Sequence, residues 1–492
     1  MNEYVSLVSK VWNYAHVLRD EGIAYGDYLE QITYLLFLKM DDEREHLLGE
    51  GSQIPDQWKW AQLRGKRGDE LELQYRHTLE NLGTGTGMLG TIFRKAQNKV
   101  QDPAKLSRLV NMIDEETWLG LDIDVKGAIY EGLLQRNAEE TKSGAGQYFT
   151  PRALIDAIVE VMDPAPEMTV HDPASGTGGF LLSAFEHMKK QTNDRDVLRR
   201  LQTDSISGNE IVENVVALCA MNLYLHGIGD AECPISQSDA LSGDPGARFD
   251  MVLTNPPFGK RSSVTYVGDD GQVHRESETY ERTDFRVTSS NKQLNFVQHI
   301  MTIMNVPGTA AVVLPDNVLF EGGAGEKVRR RLLEQFDLHT ILRLPTGIFY
   351  KQGVKANVLF FDKKPASDTP WTKEVWFYDF RTNQHFTLKT NPLRRAHLDE
   401  FVDCYKPGAR AGRKESERFK RFTYDEIVAR DKANLDIFWL RDDSLEDADN
   451  LPPPDIIAAE IVDNLQAALE EFRGVAAELG ADVIDEDVEA AE

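Results

Sequence analysis

Phe249-Asp250-Met251-Val252-Leu253-Thr254-Asn255-Pro256-Pro257-Phe258 is the stretch whose reading decides the fold. Its apolar first half predicts a buried strand, and the two prolines end that strand abruptly because proline cannot donate to a ladder. They leave a carboxamide, a fixed carbonyl and an aromatic ring at a strand's carboxyl end, the edge where open α/β sheets bind ligands. The group suits a planar amine. Asn255 Oδ1 and the Pro256 carbonyl can each accept one hydrogen of an exocyclic NH2, and Phe258 can stack on the ring that carries it. A tight turn after a strand is the plain alternative, and the neighbouring segments decide between the two.

Three upstream segments end in the same way. Met168-Thr169-Val170-His171 predicts a strand that runs into Asp172-Pro173-Ala174-Ser175-Gly176-Thr177-Gly178-Gly179-Phe180, with a helix from Leu181 to Lys190. Strand, glycine turn and helix form the first unit of a dinucleotide-type fold, and the glycines let backbone approach a ligand closely. Asp172 is wrong for a phosphate and right for a cation such as a sulfonium-bearing amino acid. Ser205 to Asn209 predicts a second strand ending in Glu210, where a carboxylate can take both hydroxyls of a ribose. An acid favoured by the helix dipole is the plainer reading of Glu210. Ile235 to Ser238 leads to Asp239, placed for an adenine amino group. Four successive strand ends thus carry polar groups toward one crevice.

Residues 1–140 read as a helical domain. Within it Leu29, Ile32, Leu36 and Met40 fall on one face at steps of three and four, and Asp41-Asp42-Glu43 is expected to end that helix in solvent. Gly83-Thr84-Gly85-Thr86-Gly87 has no strand before it and no Lys-Ser/Thr after it, so it reads as a linker and not a phosphate loop. A catalytic domain, 141–395, opens at Gly144-Ala145-Gly146-Gln147-Tyr148-Phe149-Thr150-Pro151-Arg152. There Thr150 is expected to cap a helix with Pro151 at its first position, and Tyr148-Phe149 could wall a flat ligand. The polar stretch 259–291 is expected to be a lid or disordered. The late strands lack intervening helices, which predicts an antiparallel edge on a parallel sheet. Residues 396–454 read as a basic then acidic linker region. Its basic island from Lys406 to Arg421 is either solvated or set against phosphate or an acidic partner. The final segment, 455–492, carries Ala458, Ile461, Leu465, Ala468, Phe472, Val475 and Leu479 at strict three-four spacing, a coiled-coil-like seam of about three heptads, before an acidic tail.

The 492 residues have room for two or three domains, and 41% hydrophobic and 28% charged content is that of a globular protein. No apolar run reaches membrane length, the N-terminus has no signal-peptide pattern, and three cysteines lack metal-ligand spacing; a cytoplasmic protein is expected. The net charge of −26 is unsuited to gripping a polyphosphate unaided, which points to a subunit.

These motifs resemble the amino-methyltransferases that use S-adenosylmethionine, and most closely the DNA-modification subunit of type I restriction–modification enzymes. The likeness rests on Gly146 to Pro151, Asp172 to Phe180, Asn255 to Gly259, Leu314-Pro315-Asp316-Asn317-Val318-Leu319-Phe320-Glu321-Gly322-Gly323 and Leu344 to Phe349, and spans nearly the whole chain. It implies a Rossmann-like methyltransferase sheet behind a helical N-terminal domain, and methylation of the exocyclic amine of a flipped adenine in DNA. It implies Asn255, Pro256, Pro257 and Phe258 as the catalytic group, with no metal and no covalent intermediate. It implies cofactor contacts from Gln147, Tyr148, Phe149, Thr150, Pro151 and Arg152, from the turn Ser175-Gly176-Thr177-Gly178-Gly179, and from Glu210, alongside the strand-end acids Asp172 and Asp239. It further implies a separate specificity subunit, a nuclease/translocase subunit, and two modification subunits per specificity subunit. The loop 259–291 is longer than such subunits usually have there. Competing readings are a methyltransferase acting on protein glutamine or RNA, a scaffold without activity, and a DNA methyltransferase that needs no partner.

Overall fold

The computed structural model describes residues 25–49, 51–118, 150–229, 232–258, 279–349, 353–388 and 390–441, the backbone of 263–267 and 273–277, and six helical positions between 454 and 465. Its strands are β1 (Val170–Asp172), β2 (Ile206–Glu210), β3 (Ile235–Gln237), β4 (Phe249–Thr254), β5 (Ser263–Val267), β6 (Val273–Ser277), β7 (Met304–Pro315), β8 (Phe336–Arg343), β9 (Ala356–Lys363), β10 (Glu374–Asp379) and β11 (Phe419–Thr423). Nine of them form one sheet in the order β11-β10-β8-β9-β7-β4-β1-β2-β3. From β1 the chain moves outward through β2 and β3, then returns to place β4 on β1's other side. All four are parallel, as is β7 on β4. Such a reversal opens a crevice at the carboxyl ends of β1 and β4.

The expected methyltransferase-type sheet with an antiparallel edge is what the chain forms, and two details differ. β9 is antiparallel to both β7 and β8 and lies inside the sheet, while β10 is parallel to β8. The antiparallel edge is β11, paired with β10. That strand comes from the basic island, so 396–441 is not a linker. Among the island's seven basic residues, Arg410, Arg413 and Arg421 are engaged by the chain itself. Arg410 pairs with Asp362 at 2.6 Å, Arg421 with Glu374 at 3.1 Å, and buried Arg413 lies 4.6 Å over the Tyr405 ring while donating to the Thr340 hydroxyl. Composition alone could not reveal this, because the partner acids are about 50 residues or more away in the chain.

The loop 259–291 is also partly ordered by pairing. β5 and β6 form an antiparallel hairpin, and Gln298 accepts from the amides of Arg286 and Val287 and donates to the Val287 carbonyl.

In the front, the helices Tyr25–Leu48, Gly68–Gly83 and Pro103–Asp114 bury Leu36, Phe37, Tyr75, Phe93 and Leu109 in one core. The first helix does not end at Asp41-Asp42-Glu43. It runs on to Leu48 because every position from Gln31 to Asp41 is buried and the acids find partners. Asp41 accepts from Tyr224 Oη at 2.8 Å, and Glu43 from the Trp118 amide at 2.8 Å. Tyr224 belongs to the helix Glu213–Leu225 that follows β2, so the front packs directly on the sheet's own layer.

Candidate active site

The floor of the crevice is the turn after β1. Gly176 (φ +51°) and Gly178 (φ +84°) adopt the left-handed backbone that glycine tolerates, and a Cβ on Gly178 would lie 2.9 Å from Cys219 Sγ. Three neighbours tie the turn down. The Asn209 carbonyl accepts from the Ser175 amide (2.9 Å) and hydroxyl (3.2 Å). Glu210 Oε2 accepts from the Gly176 amide (3.1 Å), and the Thr177 carbonyl accepts from Asn222 Nδ2 (3.0 Å). Beneath it runs a polar chain. The His171 ring bonds Ser207 Oγ and Asn209 Oδ1 at 2.9 Å each, and Asn209 Nδ2 donates to Ser238 Oγ at 2.8 Å. Burial lowers His171 to about 4, so a neutral imidazole stacked on Phe249 at 4.0 Å supports the floor.

Thr150, Asp172, Ser175, Gly176, Thr177, Gly179 and Asn255 line a cleft of about 360 Å³ that is open to solvent on one side. Asp172 is 2% exposed; its Oδ1 accepts from the Ala174 amide at 2.9 Å, and the Thr254 hydroxyl beside it acts with that amide to favour the charged form. Burial pushes its carboxyl up to about 7, and the neighbouring Glu210 acts in the same direction. Such a group favours a cationic ligand beside it. Asn255 is 7% exposed; its Nδ2 donates to Thr150 Oγ1 at 2.8 Å, and its Oδ1, buried, has no partner among the described residues. Phe258 is 5% exposed and packs edge-on against Phe349, with ring centroids 5.5 Å apart.

Other anticipated residues stand differently. Thr150 does not cap its helix: Pro151 holds the N-cap position of Arg152–Met162, no side chain caps it, and the Thr150 hydroxyl serves Asn255 instead. Arg152 pairs along its own helix with Asp156 at 3.1 Å. Glu210 Oε1 caps its own following turn at the amides of Ile211 and Val212, while Oε2 holds Gly176, so both readings of this acid have a geometric basis. Asp239 lies past the end of β3, where it accepts from Tyr280 Oη at 3.0 Å and the Leu241 amide at 2.9 Å. Gln147, Tyr148 and Phe149 lie outside the described residues. Sequence reasoning missed Asn222 and the His171 chain. A lone Asn inside Ala220-Met221-Asn222-Leu223 was the available signal, since a buried amide in an apolar run needs a partner.

The chain matches two family models: N-6 DNA Methylase over residues 121–439, and HsdM N-terminal domain over residues 7–113. It is 38% identical to the type I restriction enzyme EcoKI methylase subunit of Escherichia coli K12, over 96% of this chain and 95% of that one. The StySJI methylase subunit of Salmonella typhimurium gives the same identity and coverage. This chain belongs to the type I N-6 DNA methylases. Among solved structures, the crystal structure of the EcoKI M protein is 34% identical with a TM-score of 0.54, covering 97% of both chains. A chain from a type I R-M system complex is 27% identical with a TM-score of 0.67, over 96% of this chain and 98% of that one. As a type I N-6 DNA methylase the protein is a modification subunit and an adenine-specific DNA methyltransferase; the glutamine and RNA readings find no support. Its class uses S-adenosylmethionine.

Proposed function

We propose that the cleft at the ends of β1, β2 and β4 holds S-adenosylmethionine and receives an adenine extruded from DNA at Asn255. The observation that carries this is the buried Asn255 Oδ1, an acceptor with no donor among the described residues, in the same cleft as a buried acid with no cationic partner among them. The two demands match a target amine and the positively charged methyl donor. S-adenosylmethionine supplies a methyl group activated on a sulfonium. Asp172 offers the cleft negative charge, the Ser175 to Gly179 turn offers close backbone, and Glu210 at the rim is positioned for ribose hydroxyls. Gln147 to Arg152 would complete the donor's enclosure, and Asp239 would reach it by giving up Tyr280.

Adenine's amino lone pair is delocalised into the ring, so the amine is a poor nucleophile. Asn255 Oδ1 and the Pro256 carbonyl, each accepting one hydrogen, favour a pyramidal nitrogen and stabilise the charge that develops on it. Thr150 holds the other end of the carboxamide, which keeps that acceptor fixed during the reaction. A base inside a duplex cannot reach this site, so it must flip out, and stacking on Phe258 requires that ring to be uncovered as the base enters.

With a net charge of −26 the chain needs help to hold DNA. We assign that help to a specificity subunit, with a nuclease/translocase subunit completing a cytoplasmic complex of two modification subunits per specificity subunit. The docking surface is the C-terminal seam, of which Ala458, Ile461 and Leu465 are helical and exposed. The test is methyl transfer to duplex DNA by the assembled enzyme. Asn255→Ala should lower the rate by about 10²–10³-fold or more, as removal of a preorganised polar contact to developing charge does elsewhere. A variant that keeps the wild-type rate would refute the assignment.

A further inference from the structure

Two adjacent prolines leave the catalytic turn short of handles. Neither Pro256 nor Pro257 has an N–H, so the backbone of these two residues can be held only through its carbonyls. The Pro256 carbonyl has to stay available to the target amine. The next one is gripped: the Pro257 carbonyl accepts from Gln293 Nε2 at 2.9 Å, and Gln293 is 4% exposed.

Gln293 is itself held from behind. It is the second residue of the helix Lys292–Ile303, whose N-cap Asn291 accepts from the amides of Gln293 and Leu294 at 3.0 and 3.2 Å. Asn291 Nδ2 donates to Glu321 Oε2 at 2.7 Å, which anchors the helix start to the segment following β7. Below, Leu294 and Val297 pack into the core shared with Val252 of β4 and Val312 of β7. The amide is therefore delivered to the proline turn by the same layer that carries the turn's own strand.

We infer that Gln293 is a positioning residue for methyl transfer. By holding the Pro257 carbonyl it sets the plane of the Pro257–Phe258 peptide, and with it the directions of the Pro256 carbonyl and the Phe258 ring. It touches neither the donor nor the target amine. The inference rests on the reading of Asn255 and Pro256 as the amine's acceptors.

Gln293→Met tests it in the enzyme assembled with its specificity subunit. The substitution keeps length and bulk, removes the donor and leaves the Pro257 carbonyl unmatched. Single-turnover methyl transfer to duplex DNA should slow by about tenfold or more, the effect of one lost buried hydrogen bond. The dissociation constant for S-adenosylmethionine and the KM for DNA should stay within about twofold. In an Asn255→Ala background the same change should cost less than about twofold of the residual rate, because the groups act as a unit. Gln293→Glu at pH 8, an acceptor facing an acceptor, should be slower still and decides the matter if the Met variant does not fold. A wild-type rate in either variant, a loss of cofactor affinity as large as the loss of rate, or additivity with Asn255→Ala would overturn the assignment. If Asn255→Ala alone keeps its rate, the reading of the tetrad fails; if only Gln293→Met does, the tetrad stands and Gln293 is packing.

Discussion

Two carboxylates sit at the carboxyl edge of the same sheet and meet opposite fates. Asp172, after β1, has no cationic partner among the described residues; the Ala174 amide and the Thr254 hydroxyl favour its charged form, yet burial outweighs them and pushes it up to about 7. Asp316, after β7, is also largely buried, yet Arg381 grips both its oxygens at 2.6 and 2.7 Å and Asn357 adds a third bond at 2.7 Å. Burial alone would raise Asp316; the Arg381 hydrogen bonds and charge outweigh it, and the group titrates below the usual range. The same contrast extends to their neighbours. Arg343 pairs with Asp436 at 2.6 Å, although its Nε is left over, and Asp379 holds the Thr382 hydroxyl at 2.7 Å, whereas Asn255 Oδ1 accepts from no donor among the described residues. One half of the edge has its carboxylates matched to cations and donors of the chain itself and serves architecture. The other is left incomplete, which is what a binding site requires.

The largest effect should come from opening the closed half. Arg381→Met strands the Asp316 carboxylate and also releases the Leu344 and Ala356 carbonyls that Arg381 holds at 2.9 and 3.0 Å. Denaturant unfolding should show a loss of about 3–5 kcal/mol near neutral pH, the cost of breaking a buried pair on one side. Because the folded Asp316 is depressed, its contribution is present above the ordinary carboxylate range and fades as pH falls through the folded value, so the deficit should shrink in acid.

Closing the open half should do the reverse. The Asp172 carboxyl is raised from 3.8 to about 7, so stability attached to it is full below the lower value and is lost as pH rises through the upper one. Asp172→Asn should therefore stabilise the free protein at pH 8 by about 2–4 kcal/mol, with the gain vanishing near pH 4. The same variant should bind S-adenosylmethionine more weakly at pH 8. Stability gained and affinity lost together would mark Asp172 as a binding group; an unchanged affinity would make it a mere buried acid.

A smaller effect is expected at the rim. Glu210→Ala should weaken cofactor binding by about 1–3 kcal/mol, the range for a lost charge-assisted hydrogen bond. An unaltered dissociation constant in the folded variant would leave Glu210 as the cap of its own turn and of Gly176.

The open half was the more legible in sequence, and for a physical reason. Strand, glycine turn and proline stop are local signals, so β1 to β4 and the polar strand ends from Asp172 to Asn255 could be read from short stretches. The closed half is made of long-range pairs. Arg410 with Asp362 and Arg381 with Asp316 join residues 48 and 65 positions apart, which no local pattern reveals. Hence the basic island was read as a linker when it supplies the edge strand β11. Thr150 failed as a cap for a related reason: its partner, Asn255, lies 105 residues away. The acids ending the first helix were misplaced because Tyr224, 183 residues on, makes burial of Asp41 tolerable.

We propose a division of labour within one cleft, with Asp172 and Glu210 serving the methyl donor and Asn255 serving the target amine. Isothermal calorimetry of S-adenosylmethionine against Asn255→Ala, run beside Glu210→Ala, tests that division directly. The account predicts that Asn255→Ala binds the cofactor within about threefold of the wild-type dissociation constant, because the carboxamide touches only the amine. A loss in Asn255→Ala equal to or greater than that in Glu210→Ala would contradict it.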